Sequence, residues 1–539
     1  MNLSILLIIS IVISCLLSGK SLIHYFQLES YQFPGYFRTL RRNLLKAVFP
    51  GFLMMILLIV TLLLSVTISH DVTWLHYISD VVILIASGWM IGKCTSEKNA
   101  KKAFVLTPRI RRLYVVALVV LTLILALVSG RIDPSGGLKT TADRIGIAFV
   151  MVFPALLPLW IALSGLLAWP IEKGISELYF RDAQKILKSR KDLIRIGITG
   201  SWGKTSVKFI LGTILGEKYN TLVTPASFNT PMGVTKVIRT MLEPGHRVFV
   251  AEMGARHVGD IREMCRLVHP EIGILTSVGP QHLDTFKTLE RVIRTKYELI
   301  EALPPDGKAF FADDGDSCRN LYEKTTKKKM ISGLDPACDD VWAENITFSP
   351  DGSTFDLCKE GTRIHCRSQL LGELNIRNIL LCAAVAFELG LTAEQISRGI
   401  EKIRPIEHRL QLIPNPGGMS VIDDAFNSNI KGARQAFQVL KVFPEKRIVV
   451  TPGMVELGVK EYELNREFGE AMAECCDTAI LVGKKRSQAI EEGLRSGGFA
   501  ENSIHVVSSL DEATGLLRQI VTPGDTVLFE NDLPDNYSE

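Results

Sequence analysis

At 539 residues the chain is too long for one core, and its 47% hydrophobic content is high for a soluble enzyme. A net charge of +4 is too small at this length to argue for nucleic acid, and none is expected as a partner. Ten cysteines without metal-like spacing exclude a cysteine-held zinc site and fit reduced thiols in a cytoplasmic body.

The hydrophobic excess sits in the first 170 residues. Five apolar segments, at about 3–18, 51–69, 74–91, 113–129 and 145–169, approach the ~20 residues that cross a bilayer. Arg38, Arg41, Arg42 and Lys46 separate the first two. Lys93, Lys98, Lys101, Lys102, Arg109, Arg111 and Arg112 separate the third and fourth. The intervening loops on the other side carry no such excess. The positive-inside rule places both basic loops in the cytoplasm and the N-terminus outside. Five crossings from that start leave everything after Pro170 in the cytoplasm. The expected location is a multi-pass protein of the plasma membrane, with domain 1–172 in the bilayer.

Residues 175–192 read as an amphipathic connector. The β-branched run 193–199 then reads as a buried strand. It leads into Gly200-Ser201-Trp202-Gly203-Lys204-Thr205-Ser206 and a helical pattern over 207–215. Further strands are expected at 247–252 and 272–277, with helices between, so the fold class is a parallel α/β sheet over 193–404. Residues 340–370 alternate like strands, and 375–389 forms an apolar helix that Gly390 ends. The Pro- and Gly-rich stretch 404–418 reads as a linker. Strands at about 446–451, 478–482, 503–508 and 525–530 predict a smaller doubly wound domain over 412–539.

Residues 200–206 carry the strongest chemical signal. A glycine-rich turn between strand and helix lets backbone N–H groups wrap a phosphate, and the helix adds its dipole. Lys204 would reach the outer phosphates of ATP, and the Thr205 hydroxyl would hold Mg²⁺. Position 198 is Ile, so the strict eight-residue form of the motif is not met.

The segment 199–206 resembles the nucleotide loop of the Mur ligases and folylpolyglutamate synthases. Ala251 to Ala255, Gly259 to Ile261, Gly279 to Leu283 and Arg294 to Glu298 follow in family order. So do Asn375 to Asn378, Arg409, Asp423 to Asn429 and Glu456 to Gly458. This series resembles the D-alanyl-D-alanine-adding branch of the Mur ligases over roughly 193–530. The resemblance implies a central ATP-binding domain, a C-terminal α/β domain and ligation through an acyl phosphate. It implies Glu252 and His282 as metal ligands, and Lys296 as a catalytic lysine that is carbamylated in many members. Asn375 and Asn378 would contact the adenine side of ATP. Arg409 would clamp phosphate, and Asp424 and Asn427 would meet the nucleotide as the domains close.

Three departures from the family pattern stand out, of which the first and third bear on substrate. Membrane helices stand where the family has a uridine-diphosphate-binding domain, Leu374 replaces a His, and the segment 529–537 is acidic instead of Lys-Gly-Ser. The expected partners are a small-molecule or lipid-linked peptide precursor, an amino acid or dipeptide, and the membrane. A ligase of the poly-γ-glutamate-synthase kind and a nucleotide-gated membrane receptor or transport component are the alternatives.

Overall fold

The structure is a computed structural model. It describes residues 3–532 apart from 30, 69–73, 96–102, 130–140, 227, 282, 415–417, 426–429, 456 and 458–459. The chain divides into two compact units, Met1–Glu177 and Leu178–Glu539.

The first unit is helical. Among the described residues, three helical stretches have the length and composition to cross a membrane: Leu44–Thr61, Pro108–Val128 and Arg144–Ser189. A fourth arises if the pair Ile5–Ser18 and Lys20–Leu28, bent by 52°, is one span. The third expected segment lies in the helix Trp74–Cys94, where the side chains of 74–77 are outside the described set. Gly88 and Gly92 on that helix are spaced like a small-residue packing motif. A Cβ on either would run into the Ser14 or Leu17 carbonyl of Leu3–Ser18, so the two helix backbones touch. Glu172 is buried and takes Arg112 through both carboxylate oxygens at 2.5 and 2.8 Å, which neutralises a charge at the apolar helix ends.

The expected connector over 175–192 is a correction. It is no separate element, because one helix, Leu157–Ser189, runs through Pro170 from the apolar segment onward.

The second unit contains two sheets. The first has nine strands: β1 Ile194–Thr199, β2 Thr221–Val223, β3 Val248–Glu252, β4 Ile272–Leu275, β5 Lys308–Ala312, β6 Lys328–Gly333, β7 Val341–Ser349, β8 Gly352–Lys359 and β9 Thr362–Ser368. Their order is β2-β3-β1-β4-β5-β6-β7-β8-β9, parallel through β7 and closing in an antiparallel meander. Both faces of β1 and β3 are buried, so their residues read as continuous apolar runs. Val248 and Val250 pack with the helices Lys204–Leu215 and Glu373–Glu388, while Phe249 and Ala251 face Pro231–Met241 and Asp260–Val268.

The second sheet is built from β10 Gln411–Pro414, β11 Ser420–Asp424, β12 Arg447–Thr451, β13 Thr478–Val482, β14 Ile504–Val507 and β15 Thr526–Glu530, in the order β10-β11-β15-β12-β13-β14. Only β10 is antiparallel to its neighbour. The stretch expected as a linker therefore holds an edge strand, with Pro414 at its end where a missing N–H costs no ladder bond.

Candidate active site

The phosphate-binding candidate forms where β1 ends. Gly203 has φ 81° and starts the helix Lys204–Leu215, a conformation that a side chain would strain. The segment after β4 fixes the loop from outside. Ser201 N–H donates to Ser277 O at 2.8 Å, and Trp202 N–H donates to Ser277 Oγ at 3.2 Å. Thr276 Oγ1 donates to Trp202 O at 2.5 Å, and the Ser201 hydroxyl meets Gly279 O at 3.0 Å. Gly279 has no Cβ because the Trp202 indole lies against it. The loop shape is thus held by the segment that follows β4.

Lys204 Nζ folds back onto Gly200 O at 2.7 Å and Ser201 O at 2.9 Å. Burial, and to a lesser extent Arg409, pull its pKa down to about 8 against the attraction of Glu252. Ser206 is buried in the following turn of the helix.

Glu252 closes β3 beside the loop and is 1% exposed. Its Oε1 accepts from the Thr205 hydroxyl at 3.2 Å and the Asn229 amide at 3.0 Å. Its Oε2 is 3.0 Å from Lys208 Nζ, and that side chain is fully buried. Burial alone would push the Glu252 carboxyl up. Lys208 and Lys204 outweigh it and hold the group below the usual carboxylate range. A hydroxyl and an ionised carboxylate oxygen meeting beside a phosphate loop suit Mg²⁺, which prefers few protein oxygens together with substrate phosphates. Among the described residues no group of three His, Cys, Asp or Glu is placed to hold a metal, and His282 lies outside the described residues.

Lys296, on the helix Leu289–Glu301, is 2% exposed. Burial and the nearby Lys204 hold its amine well below the usual lysine value, against Asp260 and Glu252. Asn378 places Oδ1 about 3.1 Å from where a Cβ on Gly203 would stand, so it borders the loop. Asn375 instead donates to Leu371 O of its own helix start, at 2.9 Å.

Arg409 sits in a tight turn before β10. Burial lowers its pKa while Asp424, Glu252 and Glu530 oppose that, so the guanidinium lies among carboxylates from both sheets. Asp424 accepts the Leu410 N–H at 3.1 Å. Burial pushes its carboxyl up to about 6 despite Arg409. Asn427 and Glu456 lie outside the described residues. A cavity of about 330 Å³ between Gly372, Glu373, Gln435 and Gln438 opens where the helix bearing Asn375 meets the helix Ile430–Leu440 of the second sheet.

Sequence reasoning missed Lys208, Asn229 and Glu530. Lys208 sits four residues after Lys204 on the same helix, and nothing in that spacing separates it from a solvated lysine.

Residues 198–386 match the family described as Mur ligase middle domain, and 408–530 match Mur ligase, glutamate ligase domain. The chain is 29% identical over 330 residues to the UDP-N-acetylmuramoyl-tripeptide--D-alanyl-D-alanine ligase of Escherichia coli K12, covering 59% of this chain and 73% of that one. It is 30% identical over 358 residues to the ligase of that name from Mycobacterium tuberculosis CDC 1551, covering 62% and 69%. Among solved structures, MurF from Acinetobacter baumannii aligns with a TM-score of 0.61 at 26% identity, over 67% of this chain and 78% of that one. MurF from Thermotoga maritima in complex with ADP shares the fold, with a TM-score of 0.60 at 23% identity, over 66% and 80%. Neither the receptor nor the poly-γ-glutamate alternative gains support from these matches. With both catalytic domains matched in order, the chain belongs to the Mur ligase family and is an ATP-dependent ligase that forms carbon–nitrogen bonds.

Proposed function

We propose that this ligase adds a D-alanyl-D-alanine-like dipeptide, or an amino acid, to the peptide of a cell-wall precursor, at the cytoplasmic face of the plasma membrane. The observation that carries the reading is the meeting of Lys204, Thr205 and Glu252 at the ends of β1 and β3, in a chain whose relatives are named for that reaction.

The precursor carboxylate attacks the γ-phosphorus of ATP, the bond to ADP breaks, and an acyl phosphate forms. The amine then attacks the acyl carbon, phosphate leaves, and one proton is lost. Lys204 would leave the loop carbonyls for the transferring phosphoryl group and stabilise its charge. Thr205 and Glu252 would hold Mg²⁺, which when bound neutralises the phosphate oxygens. Lys208 would keep the Glu252 carboxylate ionised and aimed.

Burial that holds the Lys296 amine well below its usual value favours its neutral form, the form that would take up carbon dioxide to give a carbamate and a proton. That would supply a carboxylate facing the same site. Asn378 borders the loop from the side on which the adenine would lie, and Arg409 would reach the phosphates from the second sheet.

The helical unit, which lies outside the matched residues 198–530, would embed the enzyme and present a lipid-linked acceptor. Confinement to the bilayer raises the effective concentration of such a partner.

The test offers the full-length protein, in lipid discs, both uridine-diphosphate-linked and lipid-linked tripeptide precursors with D-alanyl-D-alanine or single amino acids. Phosphate release and product mass are read. Release with a dipeptide-sized mass gain, greater for the lipid-linked acceptor, is expected. No release with any pair would overturn the substrate reading, and equal use of the soluble precursor would overturn the membrane clause.

A further inference from the structure

Directly after Glu252, the chain leaves the C-terminal end of β3 and turns through residues 253–259 into the helix Asp260–Val268. Ligands of parallel α/β sheets bind in the crevice at such strand ends. The turn is pinned along its whole length. Met253 N–H donates to Ile198 O of β1 at 2.8 Å, and Gly254 N–H donates to Asn229 O at 2.8 Å. A Cβ on Gly254 would run into Asn229, whose side-chain amide also holds Glu252. Further on, Asp260 Oδ2 accepts the N–H groups of Arg256 and His257, each at 2.8 Å.

Glu298 fixes the far end. It lies on the helix Leu289–Glu301, two residues after Lys296, and is 1% exposed. Residues two apart on a helix face different sides, so Glu298 serves a different neighbour from Lys296. Its Oε1 accepts the Gly259 N–H at 3.1 Å, and its Oε2 accepts the Arg262 N–H at 3.0 Å. The first turn of a helix leaves such N–H groups without partners of its own. Gly259 itself has φ 95°, a conformation that a side chain would strain.

The pinned turn shows Arg256, His257 and Val258 to solvent. Among the described residues, the Arg256 guanidinium has no hydrogen-bond or ion-pair partner. His257 Nδ1 lies 3.7 Å from Asp260 Oδ2. A group whose backbone is already fixed loses less freedom when it binds, and the arginine fork matches a carboxylate.

We propose that Arg256 and His257 receive a carboxylate of the acceptor peptide, and that Glu298 is the positioning residue that holds their turn. This rests on the reading that a peptide carboxylate is activated beside Glu252. Arg256 supplies the forked charge and His257 a second donor. Glu298 acts only through the backbone of the turn. In Glu298→Gln one acceptor oxygen becomes an NH₂ facing an N–H, which releases one anchor while size and burial stay the same.

The test measures phosphate release by the full-length protein in lipid discs at saturating ATP. Uridine-diphosphate-linked and lipid-linked tripeptide precursors are varied in turn. Arg256→Ala should raise the KM for the acceptor roughly 10–100-fold, the range for losing a hydrogen bond to a charged group. Its kcat and its KM for ATP should stay near wild type, the sign of lost binding and not of lost chemistry. Arg256→Lys and His257→Ala should fall between. Glu298→Gln should raise the acceptor KM several-fold and spare the KM for ATP, a split that general loosening of the fold would not give. Added to an Arg256→Ala, His257→Ala variant, it should raise the acceptor KM no further, because it acts through those two side chains. Should Glu298→Gln fail to fold, Asp260→Asn loosens the same turn at its other anchor and should show the same split. An unchanged acceptor KM in Arg256→Ala would overturn the proposal, while wild-type turnover would leave the functional reading standing. Equal rises in both KM values for Glu298→Gln would overturn the positioning role. No acceptor-dependent release by wild type would overturn the functional reading and this proposal with it.

Discussion

The two sides of the nucleotide site are held in opposite ways. On the loop side, left-handed backbone falls on Gly203, and the segment after β4 fixes the loop mainly through backbone groups and short hydroxyls. On the Arg409 side, left-handed backbone falls on His408 and Leu410, and charged side chains of β11 hold it. The first arrangement stores little strain and tolerates change around it. The second works only while a set of ionised groups stays matched. A phosphate cradle that must keep one shape suits the first, and a contact made from a second sheet suits the other.

The largest effect that would break this contrast is on the loop side. Lys204→Ala leaves the cradle intact but removes its mobile cation. ATP turnover should fall by roughly 10²–10³-fold, the scale for losing one group that stabilises transition-state charge. Steady-state ADP production checks it, with thermal melting expected to stay near wild type. Turnover within a fewfold of wild type would mean that the cradle alone carries the phosphate chemistry.

Lys208→Met tests whether Glu252 depends on a single buried cation. Removing one partner of a buried pair leaves a charge without its counter-ion, at a cost of about 3–5 kcal/mol. Urea unfolding should show a loss of that order. A loss under about 1 kcal/mol would mean that Asn229 and Thr205 satisfy the carboxylate without Lys208.

How far the site could be read from sequence follows the same division. Gly203, Lys204 and Thr205 were legible because a phosphate cradle is local: strand, glycine turn and helix lie within one short stretch. The parallel strands were legible where burial on both faces made them continuous apolar runs, as in β1 and β3. The short β2 was not, since Thr221–Val223 is too brief to show a period. The edge strand β10 was hidden by Pro414 and its proline-rich surroundings. Lys208 reads as a surface charge on a helix until Glu252, 44 positions away, is placed against it. Glu530 falls in the acidic stretch 529–537 and reads there as part of a departure tied to substrate. Only the pairing of β11 with β15 puts it beside Asp424.

A smaller effect concerns pH. Lys204 ionises near 8 in place of its usual 10.5, so it is charged at neutral pH and loses its proton as pH rises through 8. The kcat/KM for ATP reports the free enzyme and should fall above about pH 8, approaching tenfold per unit. Nucleotide binding itself would raise the lysine back, so kcat should hold to higher pH than kcat/KM. Coincident profiles for the two constants would mean that some other group sets the alkaline limb.

The smallest expected effect is also the most direct measure of how the Arg409 side is held. Asp423 makes two contacts: Oδ2 with His408 Nδ1 at 2.7 Å, and Oδ1 accepting the Ala425 N–H at 3.0 Å. The His408 ring is 53% exposed, so its share is that of a surface ion pair, about 0.2–1 kcal/mol. Asp423→Ala should therefore cost about 1 kcal/mol in urea unfolding once the Ala425 bond is added. Asp424 still holds the Leu410 N–H in this variant, so the turn should loosen without opening. Trinitrophenyl-ATP affinity should then drop by only about two- to fivefold, the factor that about 0.5–1 kcal/mol of lost positioning gives. A loss as large as that of Arg409→Ala would show that the His408 contact alone keeps the left-handed turn. No loss at all would mean that the turn is held by Asp424 alone.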